Sequence, residues 1–202
     1  ISTMSKIIII FALISTSSAI FLQYTGWHDQ NFGSIGPVWG INFRPYEITL
    51  TEVVTGHNVM SYPSGKNANS TRFIGINTCS VLTSIPKGIQ NFWPNVIALA
   101  FRECAIESIN FESLRGFEKL QSLSFIKNQL KFLPANLFKL TPLLHDFIAH
   151  QNQISVVGDN IFQLVPLLRF VDLTNNVCIN EYALNREEIL ALERGVRRGC
   201  SG

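Results

Sequence analysis

One apolar pattern recurs four times between residues 96 and 178, with a period of 24. The four units are Val96-x-x-Leu99-x-Phe101-x-x-Cys104-x-Ile106, Leu120-x-x-Leu123-x-Phe125-x-x-Asn128-x-Leu130, Leu144-x-x-Phe147-x-Ala149-x-x-Asn152-x-Ile154 and Leu168-x-x-Val171-x-Leu173-x-x-Asn176-x-Cys178. A fixed period of this length is typical of a repeat solenoid, in which each unit buries its apolar face by stacking on the next. The pattern therefore predicts an α/β-type repeat solenoid.

Each unit contains a short stretch in which apolar residues alternate with others, which predicts a strand with one inward face. Stacked strands of this kind form a parallel sheet over a continuous core. The chain leaves each strand at the Cys/Asn column, where backbone groups lose their sheet partners. A buried Asn can donate and accept hydrogen bonds there, whereas Cys acts mainly as a small apolar side chain.

A less regular unit precedes these four. Phe73-Ile-Gly-Ile76 predicts its strand, and Cys79 lies one residue outside the 24-residue register, which indicates a one-residue insertion. We therefore expect a solenoid of about five rungs over residues 73–178, where a rung is one repeat unit.

The first 19 residues have the pattern of a secretory signal peptide. Lys6 precedes an apolar run from Ile7 to Ile14, and small residues follow at Ser17 and Ala19. The run is too short for a permanent membrane anchor, so we expect a secreted, extracellular protein without stable membrane insertion. The alternative is a buried N-terminal strand.

Two segments without the repeat pattern flank the predicted solenoid. Residues 20–72 are rich in aromatic and turn residues, and they predict either a β-rich N-terminal cap or an independent binding module. Residues 179–202 predict a helical C-terminal cap, because Asn185 and the acidic residues after it form a helix start. Ile189, Leu192 and Val196 then share one apolar face.

The repeats resemble those of the leucine-rich repeat family. Together with the preceding Ile85-Pro-Lys-Gly-Ile-Gln-Asn-Phe-Trp-Pro-Asn95, they resemble a group of short secreted leucine-rich repeat proteins of flies and midges. The resemblance covers roughly residues 46 to 180, and it implies a horseshoe with a concave parallel sheet, a β-rich N-terminal segment and secretion. That group often carries a cysteine in its early strand, whereas Pro45-Tyr-Glu-Ile-Thr-Leu50 has none.

Four cysteines allow three pairings. Cys178 ends the last repeat and Cys200 follows the predicted helix, so a disulfide between them would clamp the cap to the repeats. Cys79 and Cys104 occupy turn positions of neighbouring rungs, close enough for a disulfide, but two buried thiols would fill the same positions. Neither pair has the spacing of a zinc site.

A polar loop before the first rung contains the N-glycosylation sequon Asn69-Ser-Thr71. A glycan on Asn69 would be tolerated in such a loop. The sequence leaves its occupancy open.

Residues that alternate with the core in each strand are expected to face outward on the concave side of the sheet. The candidate partner-binding residues there are Arg102, Ser124, Ile126, Asp146, Ile148, His150, Phe170 and Asp172. Apolar side chains flanked by acidic ones favour a patch for a protein or peptide ligand, and a shallow arc does not enclose a small molecule. The alternative is that scattered exposed apolar residues have no binding role.

No residue pattern indicates catalysis. His145, Asp146 and His150 are close in sequence, but the strand register predicts a solvated sheet surface, and neither a phosphate loop nor a serine nucleophile elbow occurs. We expect neither an enzyme nor a cofactor or metal site, and a formal net charge of +2 gives no basis for nucleic-acid binding. The leading hypothesis is a secreted protein that recognises a protein partner. The alternatives are a self-assembling extracellular protein and the truncated ectodomain of a leucine-rich repeat receptor.

Overall fold

The computed structural model describes residues 20–32, 36–48, 54–57, 62, 64–80 and 82–200. The predicted signal peptide, residues 1–19, lies outside this range. The strands are β1 (Ile20–Phe32), β2 (Gly36–Ile48), β3 (Val54–His57), β4 (Phe73–Cys79), β5 (Ala98–Cys104), β6 (Ser122–Ser124), β7 (Phe132–Leu133), β8 (Asp146–Ile148), β9 (Val156–Val157), β10 (Phe170–Asp172) and β11 (Tyr182–Ala183). The helices are α1 (Ile89–Phe92) and α2 (Arg186–Gly199), with 3-10 turns at Ala68–Ser70, Phe111–Leu114 and Ile161–Leu164.

Nine of the described strands form one sheet in the order β11-β10-β8-β6-β5-β4-β2-β1-β3. Each neighbouring pair from β2 to β10 is parallel. The register follows the 24-residue period, since Leu99 pairs with Leu123 and Leu123 pairs with Phe147. Cys79 pairs with Cys104, 25 residues later, which confirms the predicted insertion. The parallel sheet expected from the repeats is therefore confirmed.

The core lies against one face of this sheet, where the inward residues of the repeats are buried. Phe101 and Phe125 stack with their ring centroids 5.5 Å apart. Phe138 lies edge-on to Phe147 at 5.0 Å and stacks with Phe162 at 6.3 Å. Phe138 and Phe162 lie in the segments that lead from one strand to the next, so these aromatic contacts join both halves of the repeat units.

An asparagine at the end of each later strand connects its unit to the preceding one. Asn152 Oδ1 accepts a hydrogen bond from the backbone N–H of Leu130 at 3.1 Å, and its Nδ2 donates to the backbone carbonyls of Phe125 and Ala149. Asn128 and Asn176 make the corresponding bonds one unit earlier and one unit later. These side chains satisfy buried backbone groups at the point where the strands end, as the sequence predicts.

The Cys/Asn column, Cys79, Cys104, Asn128, Asn152 and Asn176, forms a ladder of positions at the strand ends. The residue before each ladder position has a left-handed backbone conformation. These residues are Thr78, Glu103, Lys127, Gln151 and Asn175, with φ angles of 54° to 57°. Of these residue types, asparagine adopts this conformation most readily, and a β-branched threonine is disfavoured there. The conformation is therefore imposed by the repeated turn and not by local sequence preference.

The N-terminal strands extend the same sheet. β2 pairs in parallel with β4, β1 pairs antiparallel with β2, and β3 pairs in parallel with β1. Gly40 lies opposite Phe73, and a Cβ atom on Gly40 would clash with the Phe73 side chain and backbone. Hydrogen bonding therefore continues across the predicted boundary at residue 72.

Helix α2 is the predicted C-terminal helix. It begins after Asn185, whose side chain accepts a hydrogen bond from the backbone N–H of Glu188 at 3.0 Å. The expected apolar face is buried, with Ile189, Leu192 and Val196 against the core.

Two charged side chains of α2 hold the turn at 161–164. Glu193 is buried, and its Oε1 accepts a hydrogen bond from the backbone N–H of Phe162 at 2.9 Å. Arg186 donates to the backbone carbonyls of Phe162 and Val165 at 2.9 and 3.2 Å. The sequence pattern of the helix did not predict these contacts, because both residues bond to backbone groups more than 20 positions away.

The asparagine ladder predicts a stability difference between two asparagine variants. Asn152→Ala would leave buried backbone groups of Leu130 and Phe125 without partners, so we expect a loss of about 3 kcal/mol in the free energy of unfolding. Asn136→Ala removes an exposed asparagine side chain and is expected to change it by less than about 0.5 kcal/mol. Urea unfolding of the disulfide-bonded protein measures both. Equal losses would contradict the role of the ladder.

Two glycine substitutions are expected to have opposite effects. A Cβ on Gly158 would clash with the backbone nitrogen of Ala135 and lie 2.6 Å from its Cα, so Gly158→Ala should destabilise the protein by about 2 kcal/mol. Gly195 lies inside α2, and apart from the backbone of its own helix turn and its chain neighbours no atom lies within 4 Å of an added Cβ, so Gly195→Ala should stabilise the protein by about 0.5–1 kcal/mol. Thermal unfolding of the two variants would show shifts of opposite sign. A stable Gly158→Ala variant would be inconsistent with the close approach of the neighbouring units.

Candidate partner-binding face

The sheet face opposite the core contains the residues predicted to bind a partner, and we call it the open face. Two rows of paired residues cross it at right angles to the strands. The first row is Phe73, Ala98, Ser122, Asp146 and Phe170. The second row is Gly75, Ala100, Ser124, Ile148, Asp172 and Tyr182.

Two of the predicted binding residues are not accessible. Ser124 is 4% exposed and Asp146 is 2% exposed, so both side chains are buried in this structure, and their part in binding stays a prediction. Ser124 pairs with Ala100 and Ile148 on the neighbouring strands, and Asp146 pairs with Ser122 and Phe170. Alternation along a single strand predicts the face of the sheet on which a side chain lies, but not how exposed that side chain is.

The other predicted residues reach the surface to different extents. Arg102 is exposed. The remaining five, all half-buried, are Ile126, Ile148, His150, Phe170 and Asp172. The apolar side chains are concentrated toward β8 and β10, where Ile148 pairs with Asp172 and Phe170 lies on the same strand as Asp172. This part of the open face has the mixed apolar and acidic character that the sequence predicts.

The Asp172 side chain has a fixed orientation. Its Oδ1 accepts hydrogen bonds from the backbone N–H of Thr174 at 2.9 Å and from the Thr174 hydroxyl at 2.7 Å. Both bonds are local, so the carboxylate is held at the end of β10 without a long-range partner. Its second oxygen makes no hydrogen bond or ion pair within residues 82–200.

Tyr182 belongs to the same surface, although sequence reasoning did not identify it. β11 pairs antiparallel with β10, and Tyr182 lies opposite Asp172 with 60% of its surface exposed. The repeat pattern ends at Cys178, and a two-residue strand has too few positions to show alternation. The sequence signal was only an aromatic residue between the last repeat and the helix.

The opposite part of the open face is polar. Lys127 Nζ lies 3.1 Å from Glu103 Oε1, and Arg102 Nε lies 3.8 Å from the same atom. All three side chains are substantially exposed, so these ion pairs contribute little to stability. This region presents a solvated network of charges and not an apolar contact surface.

The described residues contain no group of three His, Cys, Asp or Glu side chains that could hold a metal ion. His145 is half-buried at the start of β8, and its backbone N–H bonds to Gln121. Asp146 lies at the next position, while His150 follows the end of the strand. Absence of enzymatic activity remains a prediction. In the same part of the chain, no helix has the length and apolar character needed to cross a bilayer.

Both predicted cysteine pairs lie at disulfide distance. The Cα atoms of Cys79 and Cys104 are 4.3 Å apart, and those of Cys178 and Cys200 are 5.2 Å apart. The first pair joins β4 to β5, and the second joins the last repeat to the end of α2. Two such bonds are compatible with an oxidising, extracellular environment.

Asn69, the predicted glycosylation site, is exposed in the 3-10 turn at Ala68–Ser70. The turn is held by Asn67 and Ser70, which cap each other, while the Asn69 carbonyl accepts a hydrogen bond from Asn95 at 3.1 Å. These contacts leave the Asn69 side chain accessible. Its glycosylation remains a prediction.

Comparison with known proteins does not assign a family. No family model and no curated protein matches the sequence. Among solved structures, the crystal structure of a TLR13–ssRNA13 complex matches with a TM-score of 0.24 and 15% identity. The match covers 54% of this chain and 26% of that chain. A likeness at this level carries no argument about fold or partner, and the resemblance to fly and midge proteins has no support from these comparisons.

Proposed function

We propose that the chain is a secreted, non-catalytic leucine-rich repeat protein that recognises a protein or peptide partner through its open face. The observation that carries the proposal is the cluster of Ile148, Phe170, Asp172 and Tyr182 on paired strands. Aromatic and aliphatic side chains next to a single charge are typical of the centre of a protein interface. Strands hold such a cluster more rigidly than a loop would, so less conformational entropy is lost on binding.

The solenoid assignment is supported by the agreement between sequence period and sheet register. Every 24 residues the chain returns to the neighbouring position in the sheet, and each ladder asparagine bonds to the unit before it. A stack of units with nearest-neighbour contacts has an extended surface and no deep central cleft. Such a surface suits a protein or peptide better than a small molecule, and the proposal requires no cofactor.

Secretion is supported by the signal-like residues 1–19 and by the two cysteine pairs. A glycan on Asn69 would be added on the same route. Asn69 lies in the turn before β4, whereas the proposed contact residues lie on β8, β10 and β11. In the sheet, β4 is separated from β8 by β5 and β6, so a glycan on Asn69 would be attached away from the contact residues.

Affinity capture with variants tests this function. The disulfide-bonded protein, produced through a secretory pathway, is expected to retain a partner from extracellular fluid. Ile148→Asp and Phe170→Asp would each place a charge in the apolar contact surface and should lower capture at least about tenfold. Val177→Asp, at a 70% exposed position beyond the strands, is the matched control and should capture normally. Unchanged capture by both open-face variants would refute the assignment of this surface.

Self-assembly is a second candidate function, supported by apolar side chains on the loops before the strands. Leu143 and Leu167 occupy equivalent positions in neighbouring units and are 42% and 41% exposed. Each follows a proline in a turn closed by a backbone hydrogen bond, from Leu144 to Thr141 at 3.2 Å and from Leu168 to Val165 at 3.1 Å. Neighbouring exposed leucines of this kind can mark an association surface.

The oligomeric state distinguishes the two candidates. If partner binding is the function, light scattering should show a monomer at micromolar concentration, and Leu143→Asp with Leu167→Asp should leave the mass unchanged. A concentration-dependent increase in mass that this double variant abolishes would favour self-assembly instead.

A further inference from the structure

We propose that the open face accepts an arginine side chain of the partner at Asp172, between the rings of Phe170 and Tyr182. The inference rests on the proposed partner-binding function and specifies the chemistry of one contact. It concerns the last two strands of the sheet, β10 and β11, where an anionic group lies beside two aromatic side chains.

The strand pairing places the three groups close together. Tyr182 lies directly opposite Asp172 in the antiparallel pair of β10 and β11. Phe170 precedes Asp172 by two positions on β10, so both point to the same face of the sheet. Side chains paired in this way have Cβ atoms about 5 Å apart, and diagonal neighbours are within reach of aromatic rings.

One oxygen of the Asp172 carboxylate remains available to a ligand. Oδ1 already accepts two hydrogen bonds from Thr174, which use its two lone pairs and fix the orientation of the carboxylate. Oδ2 makes no contact of this kind within residues 82–200, and the side chain is half-buried. A cationic donor at Oδ2 would therefore meet a preorganised acceptor.

The aromatic rings favour arginine over other donors. Tyr182 is 60% exposed and Phe170 is half-buried, so both offer surface to a ligand. The face of an aromatic ring attracts a cation, and a planar guanidinium can lie flat on the ring while its N–H groups donate to a carboxylate at the ring edge. A lysine ammonium is more strongly hydrated and has no planar surface for stacking.

The charges around Asp172 are consistent with a cationic ligand. The other open-face residues of the neighbouring unit are Asp146, Ile148 and His150, and no lysine or arginine lies among them. The open-face cations are Arg102, which lies on β5, and Lys127, which follows β6, and both pair with Glu103. No lysine or arginine on the open face of β8 or β10 therefore competes with an arginine of the partner for Asp172.

Binding of a minimal probe tests the proposal on the full disulfide-bonded chain. N-acetyl-argininamide should produce saturable chemical-shift changes at the backbone amides of Phe170, Asp172 and Tyr182 in two-dimensional NMR spectra. N-acetyl-citrullinamide has nearly the same shape without the charge, and it should bind at least about tenfold more weakly because the ion pair and the cation–π contact are lost. Equal affinity for the two probes, or shifts confined to other residues, would overturn the proposal.

Variants of the site and a matched control distinguish binding at Asp172 from a general attraction of the cationic probe to the negative charges of the protein. Asp172→Asn keeps the oxygen that accepts the Thr174 bonds, so the strand should fold normally while argininamide affinity falls about tenfold. Tyr182→Leu should also weaken binding, by about threefold, because it removes one ring. Asp159→Asn changes an exposed carboxylate that faces Arg197 at 3.8 Å, and as the matched control it should leave the affinity unchanged. Wild-type affinity in Asp172→Asn would contradict the assignment.

These experiments distinguish a failure of the arginine contact from a failure of the proposed partner-binding function. If Ile148→Asp abolishes partner capture while argininamide fails to bind at Asp172, the open face is the interface and the arginine contact is wrong. If argininamide binds at Asp172 while the open-face variants capture every partner normally, the arginine site is present and the proposed function is wrong.

Discussion

Hydrogen bonding by asparagines at the strand ends is the interaction on which the repeated structure depends. Where a strand stops, its backbone groups lose their sheet partners inside an apolar core, and leaving them unsatisfied is costly. Asn128, Asn152 and Asn176 each bond to backbone groups of the preceding unit. One side chain therefore closes its own turn and joins two units, which requires the period to stay constant.

The first two units are joined without asparagine hydrogen bonds at their strand ends. The ladder positions there are Cys79 and Cys104, which cannot provide the paired donor and acceptor of an amide. The two cysteines lie opposite each other in β4 and β5 at disulfide distance, so a covalent bond joins the units where the asparagine bonds are missing. A second pair, Cys178 and Cys200, joins the last unit to the closing helix.

Much of the fold could be predicted because a strict period converts one local pattern into a three-dimensional register. Core positions such as Leu123 and Phe147 and the asparagine ladder follow from that register, which also made Cys79 and Cys104 neighbours while leaving open whether they are bonded. The candidate binding face was predicted less well. Alternation placed Ile148 and Phe170 on the open face, where both are half-buried, but it could not show that Ser124 and Asp146 are buried.

The sequence by itself determined the period, the inward residues and the positions where the strands end, because each depends on residue type and spacing along one segment. Only the tertiary structure decided which outward side chains remain accessible and that Tyr182 completes the open face. It also decided that Glu193 and Arg186 bond to the turn at 161–164. These features depend on side chains from strands and helices distant in sequence, and their distances are set by sheet pairing and helix docking.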